Sequence, residues 1–121
     1  MAEWGGVDFD GTLGTLPGMQ PVPDMVERIR QFRAQGVEVR ICTARVNPKH
    51  GNDHNYYHTK LIQSWCEQYL GERLPVVACK DYDMVVLYDD RAIAVKTNTG
   101  ECRGWYDTLE VGIAPDADAV E

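Results

Sequence analysis

The sequence predicts an α/β fold in which a mainly parallel sheet is covered by helices. Strand-like segments alternate with helix-like segments along the chain. The strands have apolar interiors instead of the alternating pattern of half-exposed strands, as expected for parallel strands that are buried on both faces. The length of 121 residues fits one domain over residues 1–121, with a loosely ordered tail from residue 107.

The first strand and the first helix are indicated by turn and capping signals. A short strand from Gly6 enters Asp8, and the glycine-rich stretch after it turns the chain. Residues 21–35 then carry apolar side chains every three or four positions. Pro23 suits the start of a helix and Gly36 its end. An amphipathic helix is therefore expected over residues 21–35.

The rest of the chain continues the alternation. Residues 37–42 are rich in β-branched side chains and indicate a second strand, and residues 47–55 are rich in Pro, Gly and Asn and indicate a loop. Residues 57–70 place apolar side chains on one face and end at Gly71, which predicts a second helix. Three short strands are then expected over residues 75–79, 84–88 and 92–95.

Composition narrows the classes of function. The net charge of −7 makes a general nucleic-acid binder an unfavourable reading, although a local basic patch is still able to hold a phosphate. No apolar run approaches the roughly 18 residues that a membrane span needs, and the start of the chain lacks the pattern of a secretory signal. We therefore expect a cytosolic protein with no membrane partner. The cysteines form no C-x-x-C pair, which favours free structural thiols.

Polar residues follow the predicted strands, where the carboxyl ends of parallel strands form ligand sites. In chain order these are Asp8, Asp10, Thr43, Lys80, Asp89 and Asp90. Four carboxylates packed together are unfavourable without a cation, and an all-oxygen cluster suits a hard ion such as Mg²⁺. The sequence thus predicts a magnesium site at this edge of the sheet.

The first two acids have complementary chemical roles in phosphoryl transfer. With Mg²⁺ and a lysine shielding the negative oxygens of a substrate, Asp8 is placed to attack phosphorus and form an aspartyl-phosphate. Asp10 lies two residues on, and Gly11 allows the loop to turn its side chain back over the site. Asp10 is therefore expected to act as a general acid and later as a general base.

Residues 7–13, VDFDGTL, resemble the first motif of the haloacid dehalogenase superfamily of phosphatases. Thr43, Lys80 and the Asp89-Asp90 pair follow in the order of the later motifs, so the resemblance spans residues 7–97. It implies a three-layer Rossmann-like fold. The Asp89-Asp90-Arg91 string also resembles the phosphatase domains of phage polynucleotide kinase/phosphatase and small phosphatase-like proteins of phages and bacteria.

The resemblance implies a role for each motif residue. Asp8 would be the nucleophile and a metal ligand, Asp10 the acid/base and a metal ligand through its carbonyl, and Asp89 or Asp90 would complete the magnesium site. Thr43 and Lys80 would bind the phosphoryl oxygens. The other candidate phosphate-binding residues adjoin these motifs: Gly11, Thr12, Ala44 and Arg45.

Three assignments stay open at the level of the sequence. Lys80 lies only nine residues before Asp89, closer than the motif lysine often does, so Lys60 is the alternative. Arg45 reads equally well as a phosphate-binding guanidinium and as a surface charge. Four-residue spacing of three histidines would permit a zinc site on a helix, but the intervening polar residues favour solvated loop histidines, which could also reach a substrate. These histidines are His50, His54 and His58.

The short connections leave no room for the cap domain that haloacid dehalogenase phosphatases usually carry. A capless site suits a phosphate displayed on a large molecule, or it requires a partner subunit to cover it. We therefore expect phosphomonoester hydrolysis, with a nucleotide or a nucleic-acid end as the leading substrate. The alternative is a non-catalytic phosphate or Mg²⁺ binding module that resembles receiver domains, although receivers place their acid pair before the phosphorylated aspartate in the chain.

Overall fold

The computed structural model describes residues 3–103. The chain divides into two units, Met1–Asp90 and Arg91–Glu121. The tail expected from residue 107 lies outside the described residues, and the expectation of a single domain stays a prediction. None of the helices in the described range has the length and apolar character that a membrane crossing needs.

The first unit is built on a four-stranded parallel sheet. Its strands are β1 (Trp4–Val7), β2 (Glu38–Cys42), β3 (Val76–Val77) and β4 (Met84–Tyr88), in the spatial order β3-β2-β1-β4. Two helices connect the first three strands: α1 (Pro23–Ala34) between β1 and β2, and α2 (Asn52–Leu70) between β2 and β3. A short 3-10 helix, Ala44–Val46, precedes α2. The predicted α/β fold with a mainly parallel sheet is confirmed.

Two glycines let other elements pack closely against the central strand β1, all of whose residues are buried. A Cβ atom on Gly5 would lie 2.7 Å from the ring of Phe32 on α1, and one on Gly6 would lie 2.6 Å from the methyl group of Met84 on β4. Such distances are far inside van der Waals contact, so larger residues would force α1 or β4 outwards. Close packing therefore accounts for a strand that is less apolar than its central position suggests.

The core lies between the sheet and the helices, and Trp65 of α2 belongs to it with Tyr69 packed against it, as the periodicity predicted. Trp65 packs edge to face on Phe9 with ring centroids 5.0 Å apart, and its indole N–H donates to the Met19 carbonyl (2.7 Å). Tyr69 packs beside Trp65 at 4.8 Å. Since a buried aromatic ring with a satisfied polar atom is a strong packing group, these contacts fix α2 against the turn that follows β1.

The second helix begins earlier than predicted. Residues 47–55 were expected to form a loop, but α2 starts at Asn52, and Gly51 is its N-cap with extended backbone angles. The N–H of Asn55 donates to the Gly51 carbonyl (3.0 Å) as the first helical hydrogen bond. Gly, Asn and Asp disfavour a helix interior but are well suited to its first turn, where Asp53 also complements the helix dipole. The polar cluster therefore starts the helix instead of preventing it.

The strand predicted over residues 92–95 is present only as β5 (Ala94–Val95), in the second unit. It pairs antiparallel with β6 (Cys102–Arg103) in a separate two-stranded sheet and does not join the parallel one. The backbone turns between the two strands through Asn98 and Gly100, both with positive φ. Local turn chemistry therefore decides the pairing of this segment.

Candidate functional site

Asp8 stands at the centre of the carboxyl edge of the parallel sheet. It directly follows β1, which lies between β2 and β4. Its backbone N–H donates to the Tyr88 carbonyl at the end of β4 (2.8 Å). Because Asp89 and Asp90 come directly after Tyr88, this hydrogen bond holds the ends of the two strands in register and brings the three acids to one place.

The carboxylates of Asp8, Asp89 and Asp90 form a cluster that we call the acidic triad. Each residue offers one ligand atom, and these atoms all lie within 4.8 Å of one another. Among the described residues, no other group of three His, Cys, Asp or Glu side chains meets this criterion. Three of the four acids predicted for the magnesium site are therefore adjacent in the structure.

The electrostatics of the triad show that its negative charges oppose one another. The pKa of Asp8 is raised from 3.8 to about 7, first by burial, then by the charge of Asp89 and by a hydrogen bond with Asp90. A carboxyl group with this pKa retains a proton near neutral pH when no cation is bound. Burial and the neighbouring acids thus disfavour the charged form of Asp8.

Thr12 links two members of the triad. Its buried hydroxyl lies 3.3 Å from a carboxylate oxygen of Asp8 and 3.3 Å from one of Asp90, and it accepts from the backbone N–H of Asp90 (3.1 Å). The hydroxyl donates its single proton to either carboxylate, and the bond to Asp8 lowers the pKa of that carboxyl group. Thr12 therefore orients the acids, and a role for it in phosphate binding stays a prediction.

The turn after β1 is closed by backbone hydrogen bonds. The Phe9 carbonyl accepts from the N–H groups of Thr12 (3.2 Å), Leu13 (3.0 Å) and Gly14 (2.9 Å). The Gly11 N–H donates to the Gly14 carbonyl (2.8 Å), and Gly11 has a φ of 86°. This left-handed conformation favours glycine, and it is what turns the chain back towards the triad.

Gly11→Ala is expected to weaken both the fold and the triad. A Cβ atom at this position would lie 2.6 Å from a carboxylate oxygen of Asp90, and the positive φ adds backbone strain. We expect a loss of about 1–3 kcal/mol of unfolding free energy, measured by urea denaturation. Gly36→Ala is the matched control, because Gly36 has a φ of 88° and nothing within 4 Å of its Cβ position. Equal losses in the two variants would show that the contact with Asp90 costs nothing.

Asp10 is turned towards an arginine. Arg45 donates from Nε to one carboxylate oxygen of Asp10 (2.7 Å) and from Nη2 to the other (2.6 Å). Neither side chain is more than about a quarter exposed, so water screens the pair only in part. The carboxylate expected to be the acid/base is therefore held by Arg45 and is not a member of the triad, and metal ligation through the Asp10 carbonyl stays a prediction.

Arg45 is itself positioned by residues on both sides. Its backbone N–H donates to the hydroxyl of the buried Thr43 (3.1 Å), which caps the 3-10 helix that begins at the exposed Ala44. Its Nη1 faces Nδ1 of His58 (3.4 Å), and its carbonyl lies 3.0 Å from Nε2 of His54. The guanidinium thus lies in a fixed setting and is paired with Asp10, and phosphate binding by Arg45 stays a prediction.

The three histidines form a row. His54 and His58 lie on α2 and not in the solvated loop that had been favoured, whereas His50 lies in the loop before the helix. His54 and His58 are one turn apart on α2, and ring centroids are 4.4 Å apart both between His50 and His54 and between His54 and His58. Burial, then His54 and then Arg45 lower the pKa of His58. The early start of α2 creates this row, because it places two of the histidines on one helical face.

Cys42 is a partly buried thiol whose pKa responds to two acids of the triad, which the sequence did not indicate. Burial raises the pKa of its thiol most, Cys79, Asp8 and Asp89 raise it further, and the Lys80 charge lowers it. The thiol therefore lies close to two of the triad acids. Its position at the end of β2, directly before Thr43, was the available signal, but a cysteine in an apolar strand reads as a packing residue.

Lys80 lies in the exposed segment after β3, near enough to Cys42 for its charge to act on the thiol. The next residue, Asp81, accepts from the indole N–H of Trp4 (2.8 Å), which anchors this segment to β1. The alternative lysine, Lys60, lies on α2 with Nζ 5.4 Å over the ring of Tyr56. The charge of Lys80 thus acts on the Cys42 thiol, and the choice between Lys80 and Lys60 as the motif lysine stays open.

The triad fits Mg²⁺ by the chemistry of its donors. Mg²⁺ prefers oxygen ligands at about 2.0–2.1 Å and binds through a few carboxylates together with water. Three carboxylate oxygens within 4.8 Å of one another meet that requirement with a small closure. A cation bound at this position would replace the proton that Asp8 retains through its raised pKa.

No protein family, curated protein or solved structure matches this chain.

Proposed function

We propose that the chain is a Mg²⁺-dependent phosphomonoester hydrolase that acts through an aspartyl-phosphate on Asp8. The observation that carries this proposal is the acidic triad at the end of the central strand, with Asp8 half-buried between Asp89 and Asp90. The VDFDGTL segment and the strand order around β1 support a haloacid dehalogenase-type fold with three layers and no cap domain. This fold assignment is part of the proposal.

The chain's own residues would carry both steps. A carboxylate oxygen of Asp8 forms a bond to phosphorus while the bond between phosphorus and the ester oxygen breaks, and Asp10 donates a proton to the departing oxygen. Asp10 then accepts a proton from the water that attacks the aspartyl-phosphate, which releases inorganic phosphate and restores the Asp8 carboxylate. Bound Mg²⁺ supplies neutralisation of the charge that the phosphoryl group brings to the triad.

One contact favours a second candidate function, a non-catalytic phosphate-binding module of the receiver type. Arg45 engages both oxygens of Asp10, so this carboxylate reaches a leaving group only after the ion pair opens. A chain in which the pair never opens would accept a phosphoryl group on Asp8 and lose it slowly. The order of the acids in the chain, with Asp8 before the Asp89-Asp90 pair, is the reverse of the receiver arrangement and favours the hydrolase.

Hydrolysis of p-nitrophenyl phosphate with and without Mg²⁺ tests the proposal. We expect p-nitrophenol release that requires Mg²⁺ and is lost in Asp8→Asn. Labelling of the protein by acetyl phosphate without turnover would support the receiver-like alternative instead. With neither turnover nor labelling, both candidates are wrong.

The substrate class is the next question for the same assay. The proposed site has no cap, which suits a phosphate on a large molecule or a site covered by a partner subunit. We propose a nucleotide or a nucleic-acid end as the first class to screen, beside phosphorylated metabolites. Light scattering and the phosphatase assay at the same series of protein concentrations would show whether activity depends on a homo-oligomer.

A further inference from the structure

The Asp10–Arg45 pair has the geometry of a recognition site for an external anion. The Nε–Nη2 edge of a guanidinium is the planar fork that matches the two oxygens of a carboxylate or a phosphate. Here that edge is filled by a carboxylate of the chain itself, at 2.7 and 2.6 Å. Asp10 therefore stands where an anionic group of a ligand would be bound.

The rest of the guanidinium is held independently of Asp10. Nη1 faces the Nδ1 atom of His58 (3.4 Å), which accepts a hydrogen bond in the neutral tautomer that carries its proton on Nε2. The plane of Arg45 also lies against the ring of Phe9, with Cζ 5.4 Å from its centroid. These contacts use the other edge and the face of the guanidinium. The Nε–Nη2 edge therefore keeps its orientation when a phosphate replaces the Asp10 carboxylate.

The surrounding segment is locally basic in an acidic protein. Residues 45–60 contain three Lys or Arg residues, three histidines and a single acid, whereas the whole chain has a net charge of −7. These residues begin two positions after Thr43, which follows β2 at the same sheet edge as the triad. Local positive charge beside an acidic metal site favours a ligand that has more than one anionic group.

We propose that the substrate is a phosphomonoester with a second phosphate, which Arg45 binds through its fork while the first phosphate occupies the Asp8 site. This inference rests on the proposed function and extends it. The incoming phosphate takes the place of the Asp10 carboxylate on Arg45, so one ion pair is exchanged for another. The Asp10 carboxylate released from Arg45 takes up a proton from water and passes it to the departing ester oxygen, whereas a monophosphate leaves Asp10 paired with Arg45.

The consequence is a link between recognition and proton transfer. An alkyl leaving group needs a proton as it departs, so its release depends on a free Asp10. The p-nitrophenolate ion is stable without a proton, so hydrolysis of p-nitrophenyl phosphate tests the Asp8 chemistry separately. Arg45 thereby determines specificity and does not act on the reacting atoms.

A matched pair of substrates, propyl phosphate and 1,3-propanediol bisphosphate, tests the inference through phosphate release by the full chain with Mg²⁺. We expect kcat/KM to be at least tenfold higher for the bisphosphate, after correction for its two equivalent esters. Arg45→Gln is expected to reduce this ratio to about one, and Arg45→Lys, which keeps the charge but not the fork, to give an intermediate ratio. Arg28→Gln, an exposed charge on α1, serves as the control and should leave the ratio unchanged.

Each outcome has a distinct meaning. If the ratio of kcat/KM for the bisphosphate to that for propyl phosphate is near one in the wild type, or is undiminished in Arg45→Gln, this inference is overturned. Turnover of p-nitrophenyl phosphate in the same experiment would still support the hydrolase. Absence of turnover on all three substrates overturns the hydrolase proposal and this inference with it. Thermal melting of each variant checks that it is folded. If Arg45→Gln does not fold, the ratio of kcat/KM values in Arg45→Lys decides between the outcomes.

Discussion

Asp8→Asn is expected to abolish phosphatase turnover and, at the same time, to make the metal-free protein more stable. Removal of a nucleophile commonly lowers kcat by roughly 10⁴-fold or more. The gain in stability follows from the triad, because Asn carries no charge to oppose Asp89 and Asp90. A change that destroys activity while it strengthens the fold is typical of a site whose charges are arranged for a ligand.

The size of the stability gain in Asp8→Asn depends on pH. The pKa of Asp8 is about 7 in the folded protein and 3.8 in an unfolded chain. The contribution of Asp8 to stability is therefore largest below pH 3.8 and is lost as the pH rises to about 7. The shift corresponds to about 4 kcal/mol at most, and screening by water at this half-buried group reduces the expected effect to about 1–2 kcal/mol. Asn should therefore gain more over Asp at pH 8 than at pH 5.

Thermal melting in EDTA at pH 5 and pH 8 measures this difference. Glu3→Gln is the control, because Glu3 is exposed and the substitution removes the same charge. A higher Tm for Asp8→Asn at pH 8, with little change for Glu3→Gln, is the expected result. Equal Tm values for wild type and Asp8→Asn at pH 8 would show that the triad is not under electrostatic repulsion.

The features that the sequence predicts well are those set by strand periodicity and parallel pairing. The bounds of β4 are as predicted, and the strand-end acids Asp8, Asp89 and Asp90 lie together. The second result depends on one geometric rule, which is that parallel strands bring their carboxyl ends to the same edge. A rule of this kind needs only residue positions along the chain.

The features that the sequence does not predict arise from contacts between distant residues. The salt bridge of Asp10 with Arg45 joins side chains 35 positions apart, and nothing in the local pattern of either residue selects the other. Two opposing effects determine the start of α2 at Asn52: residues 51–53 are poor helix formers, but they suit the first turn of a helix. Packing of Trp65 on Phe9 holds the helix in place and so favours the early start. The histidine row depends on that start, so it was unpredictable for the same reason.

The pKa of Asp8 also leads to a prediction about the metal. A cation at the triad must displace the proton that Asp8 shares with its neighbours at neutral pH and below. The apparent affinity for Mg²⁺ should therefore fall about tenfold for each pH unit below 7, and it should level off above pH 8. Because water-exposed carboxylates titrate near pH 4, an unperturbed site would bind Mg²⁺ equally well at pH 6 and pH 8.

Isothermal titration calorimetry with Mg²⁺ at pH 6 and pH 8 distinguishes these cases. At pH 6, binding to the wild type should be about tenfold weaker and should release about one proton, seen as a dependence of the binding enthalpy on the buffer. In Asp8→Asn the affinity should be lower at pH 8 and nearly independent of pH, since the titrating group is gone. Equal affinities of the wild type at the two pH values would mean that Mg²⁺ does not compete for the Asp8 proton and that the triad is not its site.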